Sequence, residues 1–399
     1  MELSSRSKAF IMPEYNLTGD LLSFLTCNLQ YRYQNKGTLP PSKPVQLWFG
    51  EFIHGMMEEA YLKYANEHKP FPWDWKRDIR PLEEMIDKRL QVRGLYPPED
   101  YYCHYNKPNN NQAQCPSTQH PHKLLYSNRA ETAINVLGPD LFPLIDNAEV
   151  LLKGIRDMPD YREGYSRSNY YSINGVIDVL SSIKIEQTIE TNQSSENSNK
   201  IIQYLLKDEN FKEHIQSYES DEYEIIIDYK GMKRPSYGSK NWARHNWQIQ
   251  TYAWLRRMQE GSKPVVAGII FYLNELVPSE EDLSLIKEDL INEETDVLNH
   301  PRDEKLIFEW DHDKKYPKLS REFMMDRCVR VVNIENKSIN NALKEFDKVV
   351  GDIEKSTISE LTGLGIKHAW KAEADERTCN ACDFKTFCDK HKFDEMTIP

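Results

Sequence analysis

The chain has 399 residues, 39% hydrophobic, 29% charged and 11% aromatic, a composition that supports a packed core and excludes a collagenous or wholly disordered protein. Sixty-three acidic residues against 51 basic give a net charge of −12, which argues against coating nucleic acid through bulk charge and confines any such site to a local patch. No window approaches the ~20 apolar residues of a membrane helix, and the start, MELSSRSKAF, lacks the order of a signal peptide, so a cytoplasmic protein with no membrane partner is expected.

In chain order, residues 17–36 carry helical apolar spacing, with Thr18 and Asp20 as caps and Cys27 in mid-helix. Residues 47–64 read as a second helix, along one face of which Gly50, His54, Glu58 and Tyr61 recur. From 70 to about 165 the sequence predicts a helical insertion, with helices near 81–93 and 123–157 around an Asn-rich loop. Strands are expected at 170–183, 222–230 and 264–273, where β-branched residues concentrate. A polar run and a short helical piece at about 186–220 read as an insertion in the hairpin formed by the first two strands. Residues 242–259 read as a Trp-rich helix, a strand is expected around 304–310, and the remainder from about 321 to 361 reads as helical.

Seven cysteines, with no export signal, point to metal ligation or buried thiols rather than to a disulfide framework. Cys379, Cys382 and Cys388 stand in a C-x-x-C-x5-C arrangement, which can curl around one metal centre. A fourth ligand would come from Cys27, Cys103, Cys115 or Cys328, and spacing alone leaves zinc and iron–sulfur both open. A weaker zinc reading is offered by Cys103, His104, Cys115, His120 and His122.

Asp178 in GVIDVL and Asp228 in IIIDYK lie on neighbouring predicted strands, and Lys230 shares a face with Asp228. Two carboxylates with an ammonium beside them suit Mg²⁺ or Mn²⁺ and a phosphate whose charge must be stabilised. From Tyr229 to Gln259 no acidic residue occurs, while Lys233, Arg234, Lys240 and Arg244 follow Lys230, with Trp247 just after them. That mixture offers phosphate-pairing cations and flat faces for stacking bases. Gln248 and Tyr252 share a helical face.

His54 in GEFIHGMMEEAY, Asp178 in GVIDV, Asp228-x-Lys230 and Gln248-x-x-x-Tyr252 occur in the order used by RecB-like nucleases of the PD-(D/E)XK superfamily. Cys27 upstream of a terminal C-x-x-C-x5-C resembles the iron–sulfur branch of that group, which includes the CRISPR-associated exonuclease family and the AddB nuclease domain. The resemblance implies that His54, Asp178, Asp228 and the Tyr229 carbonyl bind Mg²⁺ or Mn²⁺, and that Lys230 positions the attacking water. It implies that Gln248 and Tyr252 support Lys230 and contact DNA, and that Cys27, Cys379, Cys382 and Cys388 hold a [4Fe–4S] cluster. The motifs span under half of the chain, and Ile177 stands where the superfamily's name has Pro.

The expected architecture is therefore α/β. A mixed central sheet flanked by helices forms a restriction-endonuclease-like core with helical insertions and a Cys-clasped N- and C-terminal region. Its parts are N-terminal helices (1–69), the helical insertion (70–165), the nuclease core (166–310) and a C-terminal helical region carrying the cluster cysteines (311–399). The expected activity is metal-dependent hydrolysis of DNA, as an exonuclease on single-stranded ends in repair, recombination or CRISPR adaptation, with a helicase or adaptation proteins as partners. The rival is a non-catalytic iron–sulfur subunit that binds DNA or supports assembly.

Overall fold

A strand buried on both faces needs apolar residues at nearly every position, and EYEIIIDYK at 222–230 and VVAGIIFY at 265–272 meet that requirement. They are β4 (Glu222–Lys230) and β5 (Val265–Tyr272), the middle of a mixed, open, six-stranded sheet in a computed structural model of the chain. The structure describes residues 12–37, 45–103, 121–162, 165–193, 198–216, 220–380 and 382–389. His104, Cys115 and His120 lie outside them.

The long strand β3 (Tyr170–Lys184) organises one side of the sheet. Along one edge it pairs antiparallel with β2 (Asn147–Asp157); along the other it pairs parallel with β1 (Glu14–Asn16) and then antiparallel with β4. β4 runs parallel to β5, and β5 antiparallel to β6 (Val329–Asn333).

The first two helices are α1 (Leu22–Thr26) and α2 (Asn28–Asn35), followed by α3 (Val45–Glu67), α4 (Arg80–Val92) and α5 (Leu125–Leu141). Helices α6 (Ile185–Gln193), α7 (Lys200–Lys207) and α8 (Glu209–Gln216) fill the β3–β4 connection, as expected of a hairpin with an insertion. Then come α9 (Lys240–Arg257), α10 (Glu280–Ile291), α11 (Pro301–Glu309), α12 (Arg321–Cys328) and α13 (Asn336–Leu361).

Alternation along the strands divides the core. Tyr223, Ile225, Ile227 and Tyr229 of β4 join a cluster with α3, α4 and α5. Ile226 faces a second cluster with α1, α2, α9 and α13. A third, smaller cluster gathers Leu283, Ile286, Ile307, Trp310 and Phe323.

Five expectations are corrected. Residues 147–157 are the strand β2, not the end of a helix, so the 70–165 segment is not wholly helical. The expected strand near 304–310 is the helix α11, started by Pro301 at its first position with Asp303 and Glu304 in the first turn. Residues 329–333 form β6 and interrupt the expected 321–361 helix. Cys27 is not in mid-helix: its backbone is extended (φ −163, ψ 117) and separates α1 from α2. The cap of this N-terminal segment is Asn16, whose side chain accepts from the Gly19 amide, rather than Thr18 or Asp20.

Polar contacts fasten the N-terminal segment to α13. Arg32 makes a bidentate pair with Glu360 at 2.7 and 2.6 Å, Trp370 Nε1 donates to Glu360 at 2.7 Å, and the Leu29 amide donates to the Lys371 carbonyl. Nearby, Arg167 and Tyr15 both bond the buried Glu354. The Arg32 bond holds the Glu360 carboxyl below its usual range. Burial would raise Glu354, but Arg167 and Tyr15 carry it below its usual range as well. A carboxyl depressed by folding contributes stability above its unfolded pKa, about 4.3, and that contribution disappears as pH falls through the lower folded value. Glu360→Gln should therefore lower stability by about 1 kcal/mol at pH 7, with the difference from wild type shrinking as pH falls below about 4.3. Urea midpoints measured across that range test it; a constant difference down to pH 3 would contradict the assignment.

Candidate active site

Helix α3 carries Gly50, His54 and Glu58 one turn apart, and all three line a cleft of about 440 Å³ whose floor holds Asp178 and Glu149. Tyr61, expected on the same face, instead donates from its hydroxyl to the Ile145 carbonyl at 3.2 Å and anchors the chain entering β2.

The β3–β4 ladder ends at Val179–Ile227. Beyond that pair the Asp178 carboxylate takes over: its Oδ2 accepts from the Tyr229 amide at 2.7 Å and lies 3.3 Å from His54 Nδ1. Burial works against a charged His54, but Asp178 and, more weakly, Asp228 push the imidazole up to about 9. Burial likewise opposes an ionised Asp178, yet His54 and Lys230 hold its carboxyl below the usual range.

Asp228 and Lys230 lie on one face of β4 as expected, with Lys230 Nζ 2.7 Å from Asp228 Oδ2, off the hydrogen-bond line. Burial raises the Asp228 carboxyl, and the nearby Asp178 charge adds to the rise against the opposing pull of Lys230. Lys230 donates to Gln248 Oε1 at 2.9 Å, and Gln248 Nε2 donates to the Tyr252 hydroxyl at 2.9 Å. Helix α9 thus presents an amide and a phenol that fix the direction of the ammonium. Tyr252 needs a glycine beneath it: a Cβ on Gly175 would stand 2.6 Å from its ring.

The sequence does not single out Glu149, because its segment reads as helix. It lies on β2 between the pairs Ala148–Val179 and Val150–Ile177, across from Asp178, with φ +51. A left-handed conformation at a non-glycine strand residue is costly and concentrates at functional sites. Partial burial, followed by Asp178 and Glu58, pushes its carboxyl up to about 7. Among the described residues, His54, Glu149 and Asp178 form a set whose ligand atoms all lie within 4.8 Å of one another. Asp228 belongs to the same electrostatic neighbourhood but is held on Lys230.

The expected nucleic-acid patch is largely spent inside the protein. Arg234 is buried, paired with Asp296 and bonded to the carbonyls of Arg327 and Val329. Trp247 is buried and donates its indole N–H to the Ala342 carbonyl. Lys233 lies 3.5 Å from Asp289. Of the residues named, Lys240 is exposed and Arg244 half-buried.

At the far end of α1, Cys27, Cys379, Cys382 and Cys388 line one small cavity of about 50 Å³ with Gln30, Ala372, Ala374, Thr378 and Lys385. The extended backbone at Cys27 turns its thiol out of the helical run toward the tail. The Cys382 thiol is pushed up by burial and by the neighbouring Cys27 and Cys388 sulfurs. No three of these sulfurs gather as tightly as the His54 set. The other described cysteines take no part: Cys328 is buried in the α3-side core, and Cys103 is buried where its carbonyl accepts from Arg80.

Fold and site together define an α/β protein with a His–carboxylate cleft, a Lys–Gln–Tyr relay beside it and a separate four-thiol cavity. No known protein family matches the chain, and no curated protein matches it. No described helix is long and apolar enough to cross a membrane.

Proposed function

We propose that the chain is a metal-dependent DNA nuclease of the RecB-like, PD-(D/E)XK type with a restriction-endonuclease-like core, acting as an exonuclease on single-stranded ends. The observation that carries this reading is the convergence of His54, Glu149 and Asp178 on one cleft, with Asp228, Lys230, Gln248 and Tyr252 beside them. One imidazole and hard carboxylate oxygens form a donor set that fits Mg²⁺ or Mn²⁺. When bound, such an ion supplies Lewis-acid stabilisation and a more acidic water. His54, Asp178 and Glu149 would hold it, joined by Asp228 and the Tyr229 carbonyl, as the resemblance implies.

The chain's own groups then divide the work. Lys230 orients the attacking water and offsets charge growing on the phosphate. Gln248, itself fixed by Tyr252, keeps the ammonium in place through its side-chain oxygen. The Tyr229 amide pins the Asp178 carboxylate, so the site is set before substrate arrives.

The four-thiol cavity is proposed to hold a [4Fe–4S] cluster. Four thiolates on one cavity are the ligand count such a cluster needs, and zinc is the alternative occupant of the same set. Repair, recombination and CRISPR adaptation are the pathways to which such a nuclease would belong, alongside a helicase or adaptation partner.

The test is cleavage of end-labelled single- and double-stranded DNA by anaerobically purified protein with Mn²⁺, Mg²⁺ or chelator. Metal-dependent degradation is expected, with about four iron atoms per chain and visible absorption that bleaches on reduction. DNA binding without cleavage under every metal condition would replace the nuclease by the non-catalytic subunit, and a colourless, zinc-loaded protein would replace the cluster.

A further inference from the structure

With Arg234 buried and Lys233 beside Asp289, the cations that line the cleft itself come from another element. Two arginines line it beside His54, Glu149 and Asp178: Arg89 in the last turn of α4 and Arg93 just past its end. They are four residues apart, hence on one side and about 6 Å apart along the axis, a separation that suits successive phosphates of one strand.

Both arginines are more than half exposed and held by acidic residues of α3, Arg89 by Glu59 at 2.5 Å and Arg93 by Glu51 at 2.8 Å. Exposed pairs of this kind contribute roughly 0–1 kcal/mol, so a phosphate can displace either carboxylate at little cost. The helix presenting them is firmly placed. Buried Arg80 pairs with Glu83, which also accepts from Trp75 and Ser127. Ile86 packs so closely on α3 that a Cβ on Gly55 would stand 2.9 Å from its Cδ1. The cleft between has room: a Cβ on Gly50 would meet nothing within 4 Å.

We propose that Arg89 and Arg93 grip the phosphodiester backbone of the DNA strand in the His54–Asp178 cleft, exchanging Glu59 and Glu51 for phosphates as the strand enters. The proposal rests on the nuclease reading and names the residues that hold its substrate. The sequence carried only a faint sign of them, two arginines at helical spacing on a polar face that otherwise reads as solvated.

The experiment measures binding of a fluorescein-labelled single-stranded oligonucleotide in Ca²⁺ across salt concentrations, and turnover in Mn²⁺, for wild type and Arg89→Ala/Arg93→Ala. Losing two phosphate contacts should lower the slope of log K against log salt by about 1.4 and weaken binding at 0.1 M salt by at least about tenfold. KM should rise by a similar factor with kcat little changed, and Arg89→Lys/Arg93→Lys should recover most of the salt slope. An unchanged slope and KM in a double-alanine variant of an active wild type would overturn the assignment and leave the nuclease reading standing. Wild type that binds but does not cleave would overturn the nuclease reading alone, since the binding comparison still decides the arginines. Wild type that neither binds nor cleaves would overturn both.

Discussion

Asp228→Asn should reduce metal-dependent DNA hydrolysis by on the order of 10³ or more while DNA binding persists and the melting temperature moves by only a few degrees. Asn keeps the volume of a side chain that is 2% exposed, so β4 keeps its packing. The substitution removes the carboxylate that stands beside the cleft and the charge that draws Lys230 to 2.7 Å. Lys230 would still donate to Gln248, so the ammonium would be present but no longer paired with the carboxylate beside it. Binding should survive because Arg89 and Arg93 face the cleft from α4, away from this residue. Initial rates on an end-labelled oligonucleotide, with anisotropy in Ca²⁺ alongside, make the comparison. A variant retaining a tenth or more of the wild-type rate would refute the role given to Asp228.

The largest stability effect is expected at Glu275, on the short turn that follows β5. Its carboxylate is 1% exposed; it accepts from Arg327 at 2.6 and 3.2 Å and from the Arg234 amide at 2.7 Å. Glu275→Ala would leave the buried Arg327 guanidinium with Asp289 at 3.8 Å and the more weakly acting Asp296 as acidic neighbours. Breaking a buried pair by removing one partner costs about 3–5 kcal/mol, a large share of the roughly 5–15 kcal/mol that holds a domain folded. Glu275→Gln, which keeps an acceptor for the Arg234 amide, should cost distinctly less. Urea midpoints and soluble yield would show the ranking, and an alanine variant within 1 kcal/mol of wild type would count against it. The loop that Glu275 pins at Arg234 leads directly out of Lys230, so loss of activity should accompany loss of stability.

What the sequence revealed follows from how many constraints each segment carried. β3, β4 and β5 are packed on both faces or paired on both edges and declare themselves through β-branched runs. β2 is an edge strand, with Leu151 and Ile155 exposed and Leu152 buried, and its mixture of apolar and charged residues also fits a helix. Reading it as helix hid Glu149, because a residue's approach to Asp178 depends on the strand pairing and on one unusual backbone angle. KLIFEW has strand-like residues, but Pro301 and the acids after it set a helix going before they are reached. The His54, Asp178, Asp228, Lys230, Gln248 and Tyr252 positions were legible as an ordered set, since each type is tied to a chemical task. The burial of Arg234 and Trp247 was not, because charge and aromatic content along a chain do not reveal which side chains have partners from distant segments such as Asp296 and Ala342.

The contacts that fasten α2 to the end of α13 join residues more than 300 positions apart, as in Arg32 with Glu360. Five of the six strands lie between these two segments. During synthesis Tyr31 and Arg32 emerge long before the surface they pack on, so the N-terminal helices wait as an apolar, unfinished edge while the sheet assembles. Closure of such distant contacts is slow, and it cannot precede synthesis of Glu360. The four cysteines are separated in the same way, so completion of their cavity is a record that the ribosome has delivered the chain through Cys388.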